Sequence, residues 1–197
     1  MKKILTIMIA FILISNTSKA ENYVFGGGKL FNYGITTSDL QNINTSLVSL
    51  GFSSSTSKTD NTGIGFDLGL GFGITDAFAI EAGYVNYGTL EINTNTTGPV
   101  ENIKTEITGN GLTLAGKFDL ADSGVFVKGG IHSWDLSGKV STSLGSSSEA
   151  LGSGEDPYFS FGYRTPGSSS GFTFSFDYYA IDDGDISSLT LGYSSVF

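Results

Sequence analysis

Residues 62–87 read TGIGFDLGLGFGITDAFAIEAGYVNY, and this stretch decides the fold. From Ile64 to Phe72 every second residue is apolar, and the positions between them are glycine apart from Asp67. The alternation resumes at Phe78 after a short turn. A period of two is typical of a β-strand with one apolar face. The second face of a soluble sheet would carry Lys, Glu and Thr, whereas here it is mostly glycine. This pattern predicts a narrow polar interior and an apolar face turned toward lipid.

The first twenty residues have the features of an export signal. Met1–Lys3 is basic, residues 4–14 are apolar, and residues 18–20 read as a small-x-small cleavage site. The apolar run is shorter than the ~20 residues that a membrane-spanning helix needs. We therefore predict a cleaved signal peptide over residues 1–20 and a single outer-membrane barrel domain over residues 21–197.

The composition of the chain restricts its class. Three of its ten Lys/Arg lie in the predicted signal peptide, so seven cations face nineteen Asp/Glu in the remainder, a formal charge of −12. This balance argues against a nucleic-acid partner, which requires a basic surface. The chain has no cysteine and therefore no disulfide. No later segment is apolar for long enough to span as a helix, so a membrane location requires a closed barrel.

The alternation continues along the chain and predicts eight strands. Short connections alternate with long polar ones, which is the layout of an outer-membrane barrel with short periplasmic turns and longer external loops. An eight-stranded barrel is just wide enough for side chains to fill its interior, so a wide diffusion pore is excluded. We predict an all-β fold, an eight-stranded antiparallel transmembrane β-barrel with up-and-down meander connections. The predicted strands are Tyr23–Phe31, 64–73, 78–85, 111–118, 125–134, 159–163, 172–178 and 187–197.

The long polar segments are expected to be external loops. In the first, apolar residues from Leu40 to Leu50 recur at spacings of three and four. Two alternatives are open for residues 38–51: a flexible Ser/Thr loop, or a short amphipathic helix capped by Ser38–Asp39 that lies at the membrane surface. The three segments are residues 34–61, 89–109 and 141–156.

The charges of the predicted strands all fall on the glycine-rich face. Three lysines meet three carboxylates there, and ions persist in a narrow, largely dehydrated lumen only when they are paired. We therefore predict an internal salt-bridge network. Its members are Lys29, Asp67, Glu81, Lys117, Lys128 and Asp177.

Aromatic residues crowd the predicted strand ends, as the two interfacial girdles of a membrane barrel require. The pattern assigns one set to the periplasmic girdle and a smaller set to the outer girdle. The periplasmic set is Phe72, Phe78, Phe118, Tyr158, Phe172 and Phe197, and the outer set is Phe31, Tyr84 and Tyr178.

Several of these segments resemble the OmpA-like family of eight-stranded outer-membrane barrels. GGKL, with Lys29, is similar to the lysine-bearing first strand of that family, and IEAGY around Glu81 is similar to its third. LTLAGKFDL, with Lys117, is similar to the fourth strand, and KGGIHSWDLSGK is similar to the fifth in the positions of Lys128 and Trp134. The resemblance implies that the four charged residues occupy lumen positions of an internal ion network.

The end of the chain also resembles this family. TLGYSSVF is similar to the terminal signal that the barrel-assembly machinery reads, with Gly192, Tyr193 and Phe197 in place, although Ser195 departs from it. The chain ends at Phe197, so the resemblance covers the transmembrane barrel and not the peptidoglycan-binding domain of full-length family members.

These observations predict a non-enzymatic protein of the bacterial outer membrane that contributes to envelope integrity and to surface interaction or adhesion through its external loops. A low-conductance, porin-like channel for small solutes is the alternative. A lipid-modifying enzyme is a third reading, because His132 and Ser133 are adjacent, but alternation places them on opposite faces of one strand. The expected partners are outer-membrane lipid and lipopolysaccharide, the assembly machinery and a host or environmental ligand at the loops. We expect no catalytic residue, metal, cofactor or nucleic acid.

Overall fold

The described part of the chain is almost entirely β-structure. The computed structural model describes residues 21–98, 100–120, 123–165, 169–181 and 184–197, and the predicted signal peptide lies outside them. These residues form one helix and nine strands. They are β1 (Tyr23–Asn32), α1 (Thr37–Ser49), β2 (Ser54–Asp60), β3 (Thr62–Thr75), β4 (Phe78–Thr97), β5 (Ile103–Asp119), β6 (Val125–Thr142), β7 (Gly145–Arg164), β8 (Ser170–Tyr179) and β9 (Ile186–Val196).

The strands close into a barrel of eight transmembrane strands, as predicted. Every pairing is antiparallel, and the first and last strands pair from Tyr23 opposite Val196 to Asn32 opposite Ser187. β3 pairs with the first half of β4 and forms the second transmembrane strand, and β2 pairs with the second half of β4 beyond the barrel, with Asn61 between β2 and β3. The additional pairing of β4 with β5 completes the ring. The one helix in the described ranges is too short or too polar to cross a membrane.

The barrel turns its apolar side chains outward. Leu191 and Phe172 are 67% and 64% exposed, whereas Lys29 and Asp177 are 2% and 1% exposed. In the barrel parts of the described strands, the outward positions carry no ionised side chain; these parts are residues 23–32, 62–75, 78–87, 110–119, 125–134, 157–164, 170–179 and 186–196. A Lys or Arg there would cost ~2–4 kcal/mol at the membrane midplane, so this distribution is the one that lipid requires.

Glycines of β3 make room for the inward aromatic side chains of β1. A Cβ atom added at Gly71 would lie 2.1 Å from the ring of Tyr23, and one added at Gly69 would lie 2.5 Å from the ring of Phe25. Each of these glycines lies directly opposite the aromatic residue that covers it. The glycine-rich face of the decisive stretch is therefore the surface on which the lumen aromatics pack.

Two of the predicted external loops are largely strands. β4 continues to Thr97 before β5 begins at Ile103, and β6 continues to Thr142 before β7 begins at Gly145. The prediction of loops is therefore wrong: the polar composition of these segments suits an extended hairpin in which Asn93 and Asn95 face water and the alternating Thr94 and Thr96 are buried. The extensions form a five-stranded sheet beyond the barrel, here called the external sheet. It contains residues 54–60, 89–97, 103–109, 135–142 and 145–156.

A bulge at Gly88 separates the barrel part of β4 from its external part. Asn86 lies opposite Asn110, but Thr89 lies opposite Thr108, so β4 contains one extra residue here. Gly88 has φ of 76°, a left-handed conformation that glycine adopts without a Cβ penalty. The extra residue reverses which alternate positions face inward along β4.

The segment with two open alternatives forms α1, which packs on the external sheet. Its N-cap is Thr36, which forms a capping box with Asp39, rather than Ser38. Leu40 and Ile43 pack against the buried cluster of the sheet. The side-chain carbonyl of Asn44 accepts hydrogen bonds from the hydroxyls of two β2 serines, at 2.9 and 2.8 Å. The helix alternative is therefore confirmed and the flexible loop is wrong, and a position at the membrane surface stays a prediction.

Candidate functional site

The middle of the lumen is built around one buried lysine. The Nζ atom of Lys29 lies 2.7 Å from an Oδ2 atom of Asp177 and 3.1 Å from that of Asp67. Asp177 also accepts hydrogen bonds from the hydroxyls of Thr190 and Tyr158. Burying these charges is expensive, and the ion pairs and hydrogen bonds offset the cost because they leave few lone pairs without a partner.

A second ion pair lies nearer the periplasmic end. Lys128 Nζ lies 2.6 Å from Glu81 Oε2, and Glu81 also accepts a 2.6 Å hydrogen bond from the hydroxyl of Tyr23. Lys117 pairs with none of the three predicted carboxylates but with Asp119, at 2.6 Å. Asp119 lies two residues further along the same strand and therefore on the same face, a spacing that could have identified it from the sequence.

An aromatic plug closes the lumen above Lys29. Tyr179 contacts Tyr87 at a centroid distance of 5.4 Å and His132 at 5.3 Å, both edge to face, and it stacks on Tyr158 at 4.9 Å. The prediction that Tyr158 and Phe31 belong to interfacial girdles is wrong, since both are buried in the lumen. The five residues that we call the aromatic plug are Phe31, Tyr87, His132, Tyr158 and Tyr179.

The lumen contains little free volume. One cavity of about 30 Å³ lies among Glu81, Lys128 and Asp177, and a smaller one of about 10 Å³ lies beside Tyr158. A site needs roughly 10–15 Å³ of such volume to hold one water molecule. A wider pocket of about 400 Å³ opens at the periplasmic end, beside Asp119. The side chains therefore fill the lumen, as expected for eight strands.

His132 is held as a structural part of the plug. Its Nδ1 atom lies 2.8 Å from the hydroxyl of Tyr87, and its Nε2 atom lies 2.7 Å from the carbonyl oxygen of Ala180. Ser133 lies on the opposite face of β6, where it pairs with Leu112. Within the described ranges, no group of three or more His, Asp or Glu side chains is arranged to hold a metal ion.

The buried apolar cluster of the protein continues from the aromatic plug into the external sheet, a feature that the sequence pattern does not predict directly. Leu90 and Ile92 are 4% and 5% exposed, and they alternate with the exposed Glu91 and Asn93. That alternation was the available signal. The core also contains the partly buried Ile35, Leu40, Ile43, Ile107 and Leu136.

An ion cluster lies on the water-facing side of the external sheet. Lys104 Nζ lies 2.9 Å from Glu91 and 3.0 Å from Glu106. The hydrogen bond from Lys104 lowers the pKa of Glu106, and the hydrogen bond to Glu91 raises the pKa of Lys104. All three side chains are solvated, so the cluster contributes little to stability.

The predicted assembly signal lies at the end of β9. Gly192 lies opposite Gly27, Tyr193 faces outward against Phe172 at a centroid distance of 5.5 Å, and Phe197 is 71% exposed. Recognition of these residues by the assembly machinery remains a prediction.

Comparisons with known proteins agree with this geometry. The model of the OmpA-like transmembrane domain matches residues 19–162. The crystal structure of Ail, the attachment invasion locus protein of Yersinia pestis, is 15% identical over 90% of this chain and 99% of Ail, with a TM-score of 0.56. The outer membrane protein OprG from Pseudomonas aeruginosa is 12% identical over 90% of this chain and 97% of OprG, with a TM-score of 0.50. At these identities the two structures show the fold alone. Among curated proteins, none matches.

Proposed function

The chain belongs to the OmpA-like transmembrane domain family of the bacterial outer membrane, and from that premise we propose that it is a non-enzymatic surface protein. Its barrel anchors the external sheet, and the external sheet binds molecules outside the cell. The barrel wall, which lies in outer-membrane lipid, contributes to envelope integrity and contacts lipopolysaccharide at its outer rim. The barrel-assembly machinery inserts it by recognising Gly192, Tyr193 and Phe197.

One observation carries the proposal: the part of the molecule outside the membrane has paired strands and a packed interior, as the barrel has. Five strands extend beyond the lumen, and the helix packs on them over a core that contains Leu90 and Ile92. A fixed surface binds with a smaller loss of conformational entropy than flexible loops do. A sheet of this kind is therefore suited to recognition.

The packed lumen argues against the channel alternative. Lys29, Tyr87, His132 and Tyr179 are almost completely buried across the middle of the barrel. A conducting path would require the plug and the Lys29 ion pairs to rearrange together. We expect the folded protein to give no conductance above the lipid baseline in planar bilayers.

The arrangement around His132 supports a non-enzymatic role. Both ring nitrogens have structural partners, and Ser133 is on the other face of the strand. A His-activated hydroxyl would need the two side chains within hydrogen-bonding reach.

The charge of the external segments indicates which ligands fit. Residues 33–61, 88–109, 135–156 and 180–187 carry twelve Asp/Glu and three Lys, a formal charge of −9. Ail is named for attachment and invasion, and it has been crystallised with the heparin analogue sucrose octasulfate. A sulfated ligand would be repelled by this chain, because like charges across an interface oppose binding. We therefore propose adhesion to neutral or basic partners.

Two shortened variants test this function. One joins Glu91 to Glu106 through a two-residue Asn-Gly turn and the other joins Ser137 to Ala150 in the same way, since each pair is directly cross-strand. Both should retain the barrel, seen as heat-modifiable gel mobility. A non-adherent bacterial strain that displays the wild-type protein should bind mammalian cell monolayers or immobilised matrix proteins, and at least one variant should lose this binding. Equal adhesion by the wild type and both variants, at equal surface display, would contradict the proposal.

A further inference from the structure

The external sheet leaves one long strand edge open. β7 has twenty residues and β8 has ten, so pairing between them starts only at Tyr158 opposite Tyr179. From Gly145 to Pro157, β7 pairs with β6 on one side, and among the described residues no strand pairs with its other side. A bulge at Leu151 divides this open edge, and the part above the bulge is residues 145–150.

This edge lacks the usual protection. Native proteins block exposed edges with Lys, Pro or covering elements, but residues 145–150 read GSSSEA. Their small side chains leave the backbone N–H and C=O groups accessible, and all six residues are exposed. The other edge of the external sheet, β2, is different, because it carries Lys58 and packs with α1. The open edge is therefore a local property of β7.

The side chains beside the edge define a partner. We call the face of the external sheet that carries Leu90 its inner face. Glu149 lies on this face, directly opposite Gly138, and Leu151 covers Gly138 on the same face. Leu151 and the neighbouring Val140 are 53% and 41% exposed, so this part of the inner face is apolar and uncovered. A strand added to β7 would place one side chain beside Glu149 and the next but one beside Leu151. A basic residue suits the first position and an apolar residue the second.

We infer that residues 145–150 of β7, together with Leu151, form a docking site for an extended peptide strand whose inward side chains alternate between basic and apolar. Binding occurs by strand addition, in which the backbone hydrogen bonds supply affinity and the alternate side chains supply specificity. The net negative charge of the external segments attracts such a strand and repels acidic ones. The inference rests on the proposed function, since it names the class of partner that the external sheet binds.

Fluorescence anisotropy with the full-length chain folded in detergent micelles tests the site. The probe is the labelled peptide KTVTKTVT, and the comparison peptides are ETVTETVT and KTVTKTVT with every backbone nitrogen methylated. Wild type should bind only the first. Glu149→Lys should weaken that binding about tenfold, because it replaces attraction by repulsion. Glu101→Lys, an exposed change of the same charge at the turn between β4 and β5, should leave it within about twofold.

The outcomes distinguish the docking site from the general function. Equal binding of the methylated peptide, or undiminished binding to the variant that joins Ser137 to Ala150, would overturn the site. Self-association of the wild type that the same variant abolishes would also overturn it, because the occupant would be a second copy of the chain. If cell adhesion is lost only in the variant that joins Glu91 to Glu106, the proposed function stands and the docking site fails. If neither variant loses adhesion, the proposed function itself fails.

Discussion

The barrel and the external sheet use the same alternating pattern and bury opposite faces of it. Along β4, Ala82 and Tyr84 face lipid on the outside of the barrel, whereas Leu90 and Ile92 face the interior of the external sheet. All four occupy even-numbered positions, and the bulge at Gly88 changes the face on which those positions lie. The surrounding solvent therefore decides which face must be apolar, and a single extra residue adapts one strand to both lipid and water.

The interiors of the two regions differ accordingly. Below the aromatic plug the lumen depends on paired ions and on glycine clearance, while the interior of the external sheet buries Leu90 and Ile92 and contains no ion pair among the described residues. Substitutions of similar size should therefore have consequences that depend on the region and on the face.

The largest effect is expected where glycine provides clearance in the lumen. Gly71→Val would place side-chain atoms inside the ring of Tyr23, where even a Cβ would lie 2.1 Å away. Overpacking typically costs about 1–3 kcal/mol and occasionally more, and here the buried Tyr23 ring is also held by its hydrogen bond to Glu81, so we expect a cost above that range and large enough to prevent folding. We expect loss of the heat-modifiable folded form. Gly28→Val is the matched control, because a Cβ at this outward position meets nothing within 4 Å, and it should fold normally.

Removal of the central cation should have the next largest effect. Lys29→Met leaves Asp67 and Asp177 without their shared partner, and breaking a buried ion pair costs about 3–5 kcal/mol. Urea unfolding in lipid vesicles, followed by the fluorescence of the single tryptophan Trp134, measures the change. The control is Lys58→Met on the exposed side of the external sheet, which should change the unfolding free energy by less than about 0.5 kcal/mol. An equal loss in both variants would show that the lumen charges are not special.

A smaller and local effect is expected in the external core. Ile92→Ala should destabilise the external sheet by about 2–3 kcal/mol through lost burial, while the barrel keeps its heat-modifiable mobility. Limited proteolysis of the folded protein should then cut the external sheet faster. Leu144→Ala, which removes a side chain that is 80% exposed, should leave the cleavage rate unchanged. Resistance of both variants to protease would show that the external sheet does not depend on its core.

The smallest effect concerns the surface ions. Because the hydrogen bond from Lys104 lowers the pKa of Glu106 below its ordinary value of 4.5, ionised Glu106 stabilises the folded sheet above that pH. This contribution is lost as the pH falls through the lowered pKa. After correction for the intrinsic rate of amide exchange, which itself falls in acid, exchange in β5 should therefore accelerate slightly as the pH is lowered. The acceleration should be smaller in Lys104→Met. An equal acid response in this variant and in the wild type would show that the Lys104–Glu106 ion pair does not stabilise the sheet.

The sequence predicted the fold well where the two-residue alternation alone decided the structure. It predicted less where aromatic position or polar composition pointed to a different answer from the alternation. Eight strands and an apolar exterior follow from the period of two and from the absence of outward charge. The aromatic ring of Phe31 near a strand end predicts a girdle position, but Phe31 lies two residues from Lys29 and therefore on the lumen face. The external sheet was missed because its Ser, Thr and Asn residues obscured the alternation of Leu90 and Ile92. The bulge at Gly88 could not have been placed, because glycine is common throughout these strands.

The reversal of faces along β4 can be measured directly with spin labels. The chain contains no cysteine, so single cysteines can be placed at Ala82, Tyr84, Glu91, Ile92 and Asn93 without removing native ones. In lipid vesicles, labels at the first two positions should be most accessible to dissolved oxygen, labels at Glu91 and Asn93 to a water-soluble nickel complex, and the label at Ile92 to neither. If Ile92 instead proved accessible from outside while Glu91 and Asn93 were protected, the even positions would face outward along the whole strand, and the account of two oppositely built regions would be wrong.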